Sequence, residues 1–190
     1  MFIQTEETPN PATLKFIPGQ PVMGSGSVDF ADAEEAQRSP LAARLFEIPA
    51  VSRVFLGADF VTVTKQAGEW HHLKPAVLGA IMEHFTSGRP LFQDEQGERP
   101  GNGALGEVQF DEADREIVEQ IHELIETRVR PAVAQDGGDI TLHGFDKGVV
   151  LLHMQGSCAG CPSSTITLKN GIENMLRHYI PEVTEVRQVF

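Results

Sequence analysis

Residues 156–164 read Gly-Ser-Cys-Ala-Gly-Cys-Pro-Ser-Ser and contain both cysteines of the 190-residue chain, Cys158 and Cys161. The stretch follows strand-like residues and runs directly into a helical pattern, so we expect both thiols in a loop at a helix N-terminus. Gly156 and Gly160 allow the backbone to turn sharply there. Free N–H groups and the positive end of the helix dipole would then face the sulfurs, which predicts a lowered thiol pKa.

The number of cysteines limits what this loop can bind. The Cys-x-x-Cys spacing alone fits a redox dithiol, half of a zinc site or half of a cluster site. Iron–sulfur clusters usually take four Cys thiolates, and structural zinc takes four N or S ligands. A cluster held by protein thiolates alone would therefore join two chains, and a two-fold dimer brings the same loop together twice. Such a cluster would be exposed and labile, which suits a carrier.

The residues around the loop predict an α-β-β-α-β order for the second half of the chain. Apolar residues at helical spacing, including Ile117, Ile121 and Ile125, indicate a long helix before the strands. The predicted elements are a helix over residues 111–133, a tight turn over 135–139, strands over 140–145 and 149–154, a helix over 163–179 whose apolar face includes Tyr179, and a strand over 183–189.

The first half predicts a second small α+β domain. Ser39 and Pro40 have the residue types of an N-cap and a first helical position, and a helix is predicted over 70–85. Strands are predicted over residues 1–5, 13–17, 51–56 and 60–65, with a turn over 9–11. This half contains no recognisable catalytic constellation.

Composition separates the two halves. Residues 93–106 are rich in Gly and charge and poor in apolar side chains, which is typical of a linker. The sequence therefore predicts an α+β protein of two small domains, residues 1–92 and 107–190, joined by a flexible linker at 93–106. The C-terminal domain is the one with the α-β-β-α-β order.

Charge limits the classes of partner. The chain has 27 acidic and 15 basic residues and a formal net charge of -12, which argues against nucleic acid and anionic membrane as partners. No apolar run is long enough to span a bilayer. The N-terminus has neither a secretory signal nor an Arg-rich transit peptide, so we expect a bacterial cytoplasmic protein, with a mature mitochondrial protein as the alternative.

Longer strings of sequence in both halves are more informative than the two cysteines alone. They are Phe2–Thr5, Thr8–Pro11, Leu14–Gly19, Arg38–Leu41, Arg130-Pro131, Asp136–Asp139, Gly156–Cys158, Cys161–Ser164 and Thr167–Ile172. These strings resemble the Nfu-type iron–sulfur scaffolds, with an N-terminal Nfu domain and a NifU-like C-terminal domain. The resemblance covers both halves and is far more specific than the Cys-x-x-Cys spacing.

The resemblance implies a function in iron–sulfur cluster assembly without turnover of a substrate. A [4Fe–4S] cluster would be bridged across a homodimer by Cys158 and Cys161 of each protomer. Upstream donors would supply the cluster, and apo iron–sulfur proteins such as lipoyl synthase or aconitase would receive it. No enzymatic activity is implied.

Two other readings of the cysteines remain. A thiol–disulfide oxidoreductase would use Cys158 and Cys161 as a redox pair. A zinc-stapled interaction module could add His143 and His153, which lie on the two strands before the loop, although surface or packed roles are more usual for such histidines. The two carboxylates of residues 136–139 are too few for a calcium site and favour a turn.

Overall fold

The structure is a computed structural model that describes residues 1–93, 108–159 and 162–189, with side chains from residue 165 onward in the last range. The chain divides into two compact units, Met1–Asn102 and Gly103–Phe190. Each unit combines helices with a sheet, so the predicted α+β class with two domains is confirmed. Apart from Gln93, the predicted linker at 93–106 lies outside the described residues, and the domain bounds remain a prediction.

The first unit is an antiparallel five-stranded sheet packed against helices. The elements are β1 (Gln4–Glu7), β2 (Thr13–Ile17), β3 (Val28–Phe30), α1 (Ala33–Ala36), α2 (Pro40–Phe46), β4 (Val51–Leu56), β5 (Val61–Lys65) and α3 (Trp70–Ser87). The strand order is β1-β2-β5-β4-β3, and the buried core includes Phe16, Val54, Leu41 and Ile81.

Several predicted elements of this unit need correction. The first strand occupies Gln4–Glu7 and not residues 1–5, because it pairs in register with β2. Strand β3 and helix α1 were not predicted, since three or four residues are too few to show a period. The predicted N-cap of α2 is confirmed: the Ser39 hydroxyl accepts a hydrogen bond from the Ala42 N–H at 3.3 Å.

The second unit is a three-stranded sheet with helices on one face. Strand β6 (Gly138–Asp146) pairs antiparallel with β7 (Val149–Gly156), which pairs parallel with β8 (Glu185–Val189). The helices are α4 (Arg115–Leu124), α5 (Arg130–Gln135) and α6 (Pro162–Tyr179). Alternate residues of β7, including Leu152 and Met154, are buried in the core that the helices cover.

The helix predicted over 111–133 is interrupted. A 3₁₀ turn (Glu112–Asp114) precedes α4, and a π-helical segment (Ile125–Val129) joins α4 to α5. Pro131 supplies the physical reason, because it has no N–H to donate and its ring clashes with the carbonyl of the residue four positions earlier, Thr127. The helix widens by a π turn at this point and continues to Gln135.

The turn predicted over 135–139 is shorter than expected. Only Asp136 and Gly137 form it, while Gly138 and Asp139 already belong to β6. Strand β6 is therefore longer at its start, and its first residue pairs with Gly156, directly before the cysteine loop. The longer pairing brings the turn beside the loop.

The end of the chain needs two smaller corrections. Tyr179, predicted on the buried face of the last helix, is 49% exposed, and the guanidinium of Arg128 lies 5.2 Å from its ring centroid. The last strand begins at Glu185 and not at residue 183. Among the described residues, no helix combines the length and apolarity needed to cross a bilayer.

Candidate metal-binding site

The loop after β7 places Cys158 inside the second unit. The strand ends at Gly156, whose positive φ of 66° reverses the chain direction. Cys158 follows as a free thiol, only 6% exposed, and belongs to the apolar core of the unit. Cys161 and Gly160, the remaining predicted features of the loop, lie outside the described residues.

Hydrogen bonds fix both sides of Cys158. The Ser157 hydroxyl donates to the Asp136 carbonyl, and the Ser157 N–H donates to the Gly137 carbonyl at 3.2 Å. On the other side, the Thr165 hydroxyl in the first turn of α6 donates to the Cys158 carbonyl at 3.0 Å. The loop is therefore tied to the turn before β6 and to the start of α6.

Gly138 provides the space that the sulfur occupies. A Cβ atom at this position would lie 2.5 Å from Cys158 Sγ and 2.9 Å from the Gln155 carbonyl oxygen. Neither distance is compatible with a real Cβ contact, so a side chain here would displace the sulfur or the strand. The backbone of Gly138 and the side chain of Cys158 are thus packed directly against each other.

The predicted lowering of the thiol pKa is wrong for Cys158. Burial raises its pKa from 9.0 to about 11, and the nearby charges of Asp136 and Asp139 act in the same direction. A hydrogen bond with Ser157 acts in the opposite direction, and its effect is smaller than that of burial but larger than that of either charge. The sequence predicts the sulfur at a helix N-terminus, whereas in the structure it is buried in the core, where desolvation disfavours the thiolate.

We expect Cys158 to react slowly with iodoacetamide in the apo protein. Because only the thiolate reacts, a pKa of about 11 instead of 9.0 lowers the rate at pH 8 about 100-fold. The rate should keep rising as the pH approaches 11. Mass spectrometry of a Cys161→Ser variant, which has a single thiol, measures this directly.

The same variant unfolded in denaturant supplies the control, since its thiol should titrate at the ordinary value. A folded protein whose alkylation rate levels off near pH 9 would contradict the assignment of a buried, high-pKa thiol.

Arg130 forms a network of ion pairs beside the loop. Its Nε and Nη2 atoms each donate to one carboxylate oxygen of Asp139 at 2.8 Å, and Nη1 donates to both oxygens of Glu126 at 2.9 Å. Asp139 is buried and also accepts from the Ile140 N–H at 2.8 Å. These partners hold the pKa of Arg130 above its ordinary value.

Sequence reasoning missed this network. The sequence predicts Arg130 within the helix over residues 111–133 and Asp139 within the turn over residues 135–139, without any contact between them. The available signal was a carboxylate at the start of an apolar strand, nine residues after an arginine. A carboxylate in that position is buried only when a cation pairs with it.

The histidines do not join Cys158. His153 alternates along β7 with the buried residues Leu152 and Met154, so it lies on the opposite face of the sheet from the core that contains Cys158. His143 on β6 is exposed. No group of three or more His, Cys, Asp or Glu side chains among the described residues could hold a metal ion. The zinc interpretation therefore loses its proposed histidine ligands.

Comparison with known proteins places both units in one family. The family model described as "Scaffold protein Nfu/NifU N terminal" matches residues 3–88, and the model described as "NifU-like domain" matches residues 121–187. A solution NMR structure of a NifU-like protein from Saccharomyces cerevisiae covers 50% of this chain and 87% of its own, with 27% identity and a TM-score of 0.45.

Curated relatives match over the whole chain. NifU-like protein 4, mitochondrial, of Arabidopsis thaliana is 53% identical over 193 residues, which are 100% of this chain and 66% of the relative. The human NFU1 iron-sulfur cluster scaffold homolog, mitochondrial, is 52% identical over 191 residues, 100% of this chain and 72% of the relative. The chain thus spans about two thirds of the length of these relatives.

These names correct one prediction and decide the family. The comparison contradicts the expected bacterial cytoplasmic location, because relatives at about 52% identity are named as mitochondrial proteins. The two family models, in the order N-terminal then NifU-like, cover most of the chain. The chain belongs to the Nfu/NifU family of scaffold proteins.

Proposed function

We propose that this protein is an iron–sulfur cluster scaffold and carrier that binds a [4Fe–4S] cluster through Cys158 and Cys161. One observation carries the proposal: the only two cysteines of the sequence lie three positions apart inside the NifU-like match. It is supported by relatives that are named iron-sulfur cluster scaffold homologs. The role is one of carrying, without turnover of a small substrate.

The ligand count makes dimerisation part of the proposed mechanism. A cluster held by thiolates takes about four of them, whereas one chain supplies two. Two copies that meet at their cysteine loops provide the full set through a two-fold interface. The cluster would lie between protomers, where recipient proteins have access to it.

Burial of Cys158 suits temporary binding. The thiol must lose its proton before the sulfur can bind iron, and its raised pKa means that a proton competes with iron for the sulfur. The sulfur is also 6% exposed before loading, so the loop must open for iron to reach it. The competing proton weakens retention and favours transfer to apo iron–sulfur proteins, of which lipoyl synthase and aconitase are the expected examples.

The structure gives no support to the alternative of a thiol–disulfide oxidoreductase. Such enzymes need an accessible cysteine with a lowered pKa as the attacking thiolate. Cys158 is buried and its pKa is raised.

Anaerobic reconstitution with iron and sulfide tests the proposal. We expect a brown dimer with about four iron and four sulfide per two chains, since four thiolates complete one cluster. Visible spectroscopy, metal analysis and size-exclusion chromatography provide the readouts. A colourless monomer would overturn the proposal. One tightly held zinc per chain would favour the interaction module, and rapid reduction of a model disulfide by metal-free protein would favour the oxidoreductase.

A further inference from the structure

We propose that Arg130 is a positioning residue for Cys158, acting through a brace of Glu126, Arg130 and Asp139 that fixes the turn beneath the cysteine loop. The inference rests on the proposed function for its consequence, cluster retention. The position of the Cys158 thiol itself can be tested without a cluster.

The first step is the strength of the brace. Arg130 is bound bidentately by Asp139 on one side and contacts both carboxylate oxygens of Glu126 on the other. The side chains are only 22%, 8% and 33% exposed for Arg130, Asp139 and Glu126, so solvent screens the pairs poorly. The guanidinium thereby joins the helical segment to the first residues of β6.

The second step is the helix geometry that presents Arg130. The π-helical segment Ile125–Val129 contains Glu126 and ends one residue before Arg130. Single π turns in helices are rare and occur frequently at functional sites, because the extra residue changes the direction of the side chains that follow. Here Glu126 and Arg130 remain within ion-pair distance across the widened turn.

The third step connects Asp139 to the sulfur. Asp139 follows Gly138, whose missing side chain leaves the space for Cys158 Sγ. Asp136 and Gly137, the two residues before Gly138, provide the carbonyl oxygens that accept hydrogen bonds from Ser157. The segment 136–139 therefore supports the cysteine loop at three points, and the brace anchors the end of that segment.

Arg130 acts in this proposal through geometry and not through its charge. Its donors are directed at two carboxylates, whose combined negative charge exceeds its own positive charge. Without the guanidinium, the buried Asp139 carboxylate would lose its bidentate cation. We expect it to move toward water and to carry the start of β6 with it.

The first unit contains a matched control. Arg53 binds Asp29 with Nε at 2.8 and 3.0 Å from the two carboxylate oxygens, and the Asp29 side chain is 8% exposed, as is that of Asp139. This pair lies in the other compact unit. Arg53→Gln therefore removes a comparable half-buried ion pair in the unit that does not contain the cysteine loop.

The experiment first measures access to Cys158 in apo protein. Arg130→Gln, Arg130→Lys and Arg53→Gln are each combined with Cys161→Ser, so that Cys158 is the single thiol, and are alkylated with iodoacetamide at one fixed pH. We expect Arg130→Gln to raise the alkylation rate at least about tenfold through more frequent local opening. Arg130→Lys should fall between, because an ammonium keeps the charge but cannot bind bidentately. Arg53→Gln should match the parent.

The second readout uses the same substitutions in the chain with both cysteines. After reconstitution, Arg130→Gln should release its cluster to a chelator at least about tenfold faster than wild type, with Arg53→Gln unchanged. Circular dichroism establishes that each variant is folded. If Arg130→Gln does not fold, the alkylation and release rates of Arg130→Lys test the proposal instead. Unchanged alkylation and release in a folded Arg130 variant would overturn the brace. A wild-type chain that binds no cluster would refute the proposed function, and the alkylation rates would still decide the brace.

Discussion

Replacing Cys158 by alanine should abolish cluster binding and the cluster-dependent dimer together. A dimer of variant chains would offer two thiolates where a cluster takes about four, so bound iron should fall at least about tenfold. Alanine is preferable to serine because the side chain is buried in the apolar core, where an unpaired hydroxyl carries its own penalty. Cys161→Ala should have the same effect on cluster and dimer.

Iron and sulfide analysis, visible spectra and size-exclusion chromatography measure this loss. Ala159→Ser is the matched control, because it changes one of the two residues between the cysteines and keeps both sulfurs. It should remain brown and dimeric after reconstitution. If Cys158→Ala still formed a brown dimer, ligands other than this thiol would hold the cluster, and the proposed assignment of the site would fail.

The long elements of the fold could be predicted because their periods repeat. Strand β7 alternates intermediate and buried positions, and helix α6 repeats its apolar residues at helical spacing. The predicted bounds of α6, β6 and β7 differ from the observed ones by at most two residues. Strand β3 has three residues. It is defined by its pairing with β4, which is a long-range contact that no local pattern records.

The π-helical segment shows where periodicity misleads. Ile121, Ile125 and Val129 are all buried, as a regular helix would place them, so the apolar pattern alone indicates one continuous helix. The widening becomes visible only through its backbone. Pro131 indicates that the helix is interrupted. The sequence does not tell whether a helix ends, kinks or widens at a proline.

The cysteine count and the strings around the cysteines predict Cys158 as a ligand, and this assignment stays a prediction. The pKa of its thiol, in contrast, depends on the direction of the sulfur. A helix N-terminus lowers a thiol pKa and burial raises it, and only tertiary structure decides between the two. In the same way, the pairing of Arg130 with Asp139 joins a helix to a strand across a turn and has no local signature.

Gly138→Ala should damage the site almost as severely as loss of a ligand, although it leaves both cysteines in place. The new Cβ would lie 2.5 Å from Cys158 Sγ and 2.9 Å from the Gln155 carbonyl, so either the sulfur or the start of β6 must move. Overpacking of this kind costs about 1–3 kcal/mol, and here the strain falls on the proposed ligand. We expect a lower melting temperature for the second unit and release of the cluster to a chelator at least about tenfold faster.

Gly171→Ala is the appropriate control for that substitution. Gly171 lies within α6 of the same unit, and a Cβ there has no neighbour within 4 Å. Alanine favours a helix over glycine by about 1 kcal/mol, so this variant should melt slightly higher and retain its cluster as wild type does. Opposite shifts in melting temperature for these two Gly→Ala variants would show that the loss of stability at position 138 comes from the clash with the Cys158 sulfur and the Gln155 carbonyl. It would not come from replacing glycine by alanine as such. Equal behaviour of the two variants would mean that the space beside Gly138 has no part in holding Cys158.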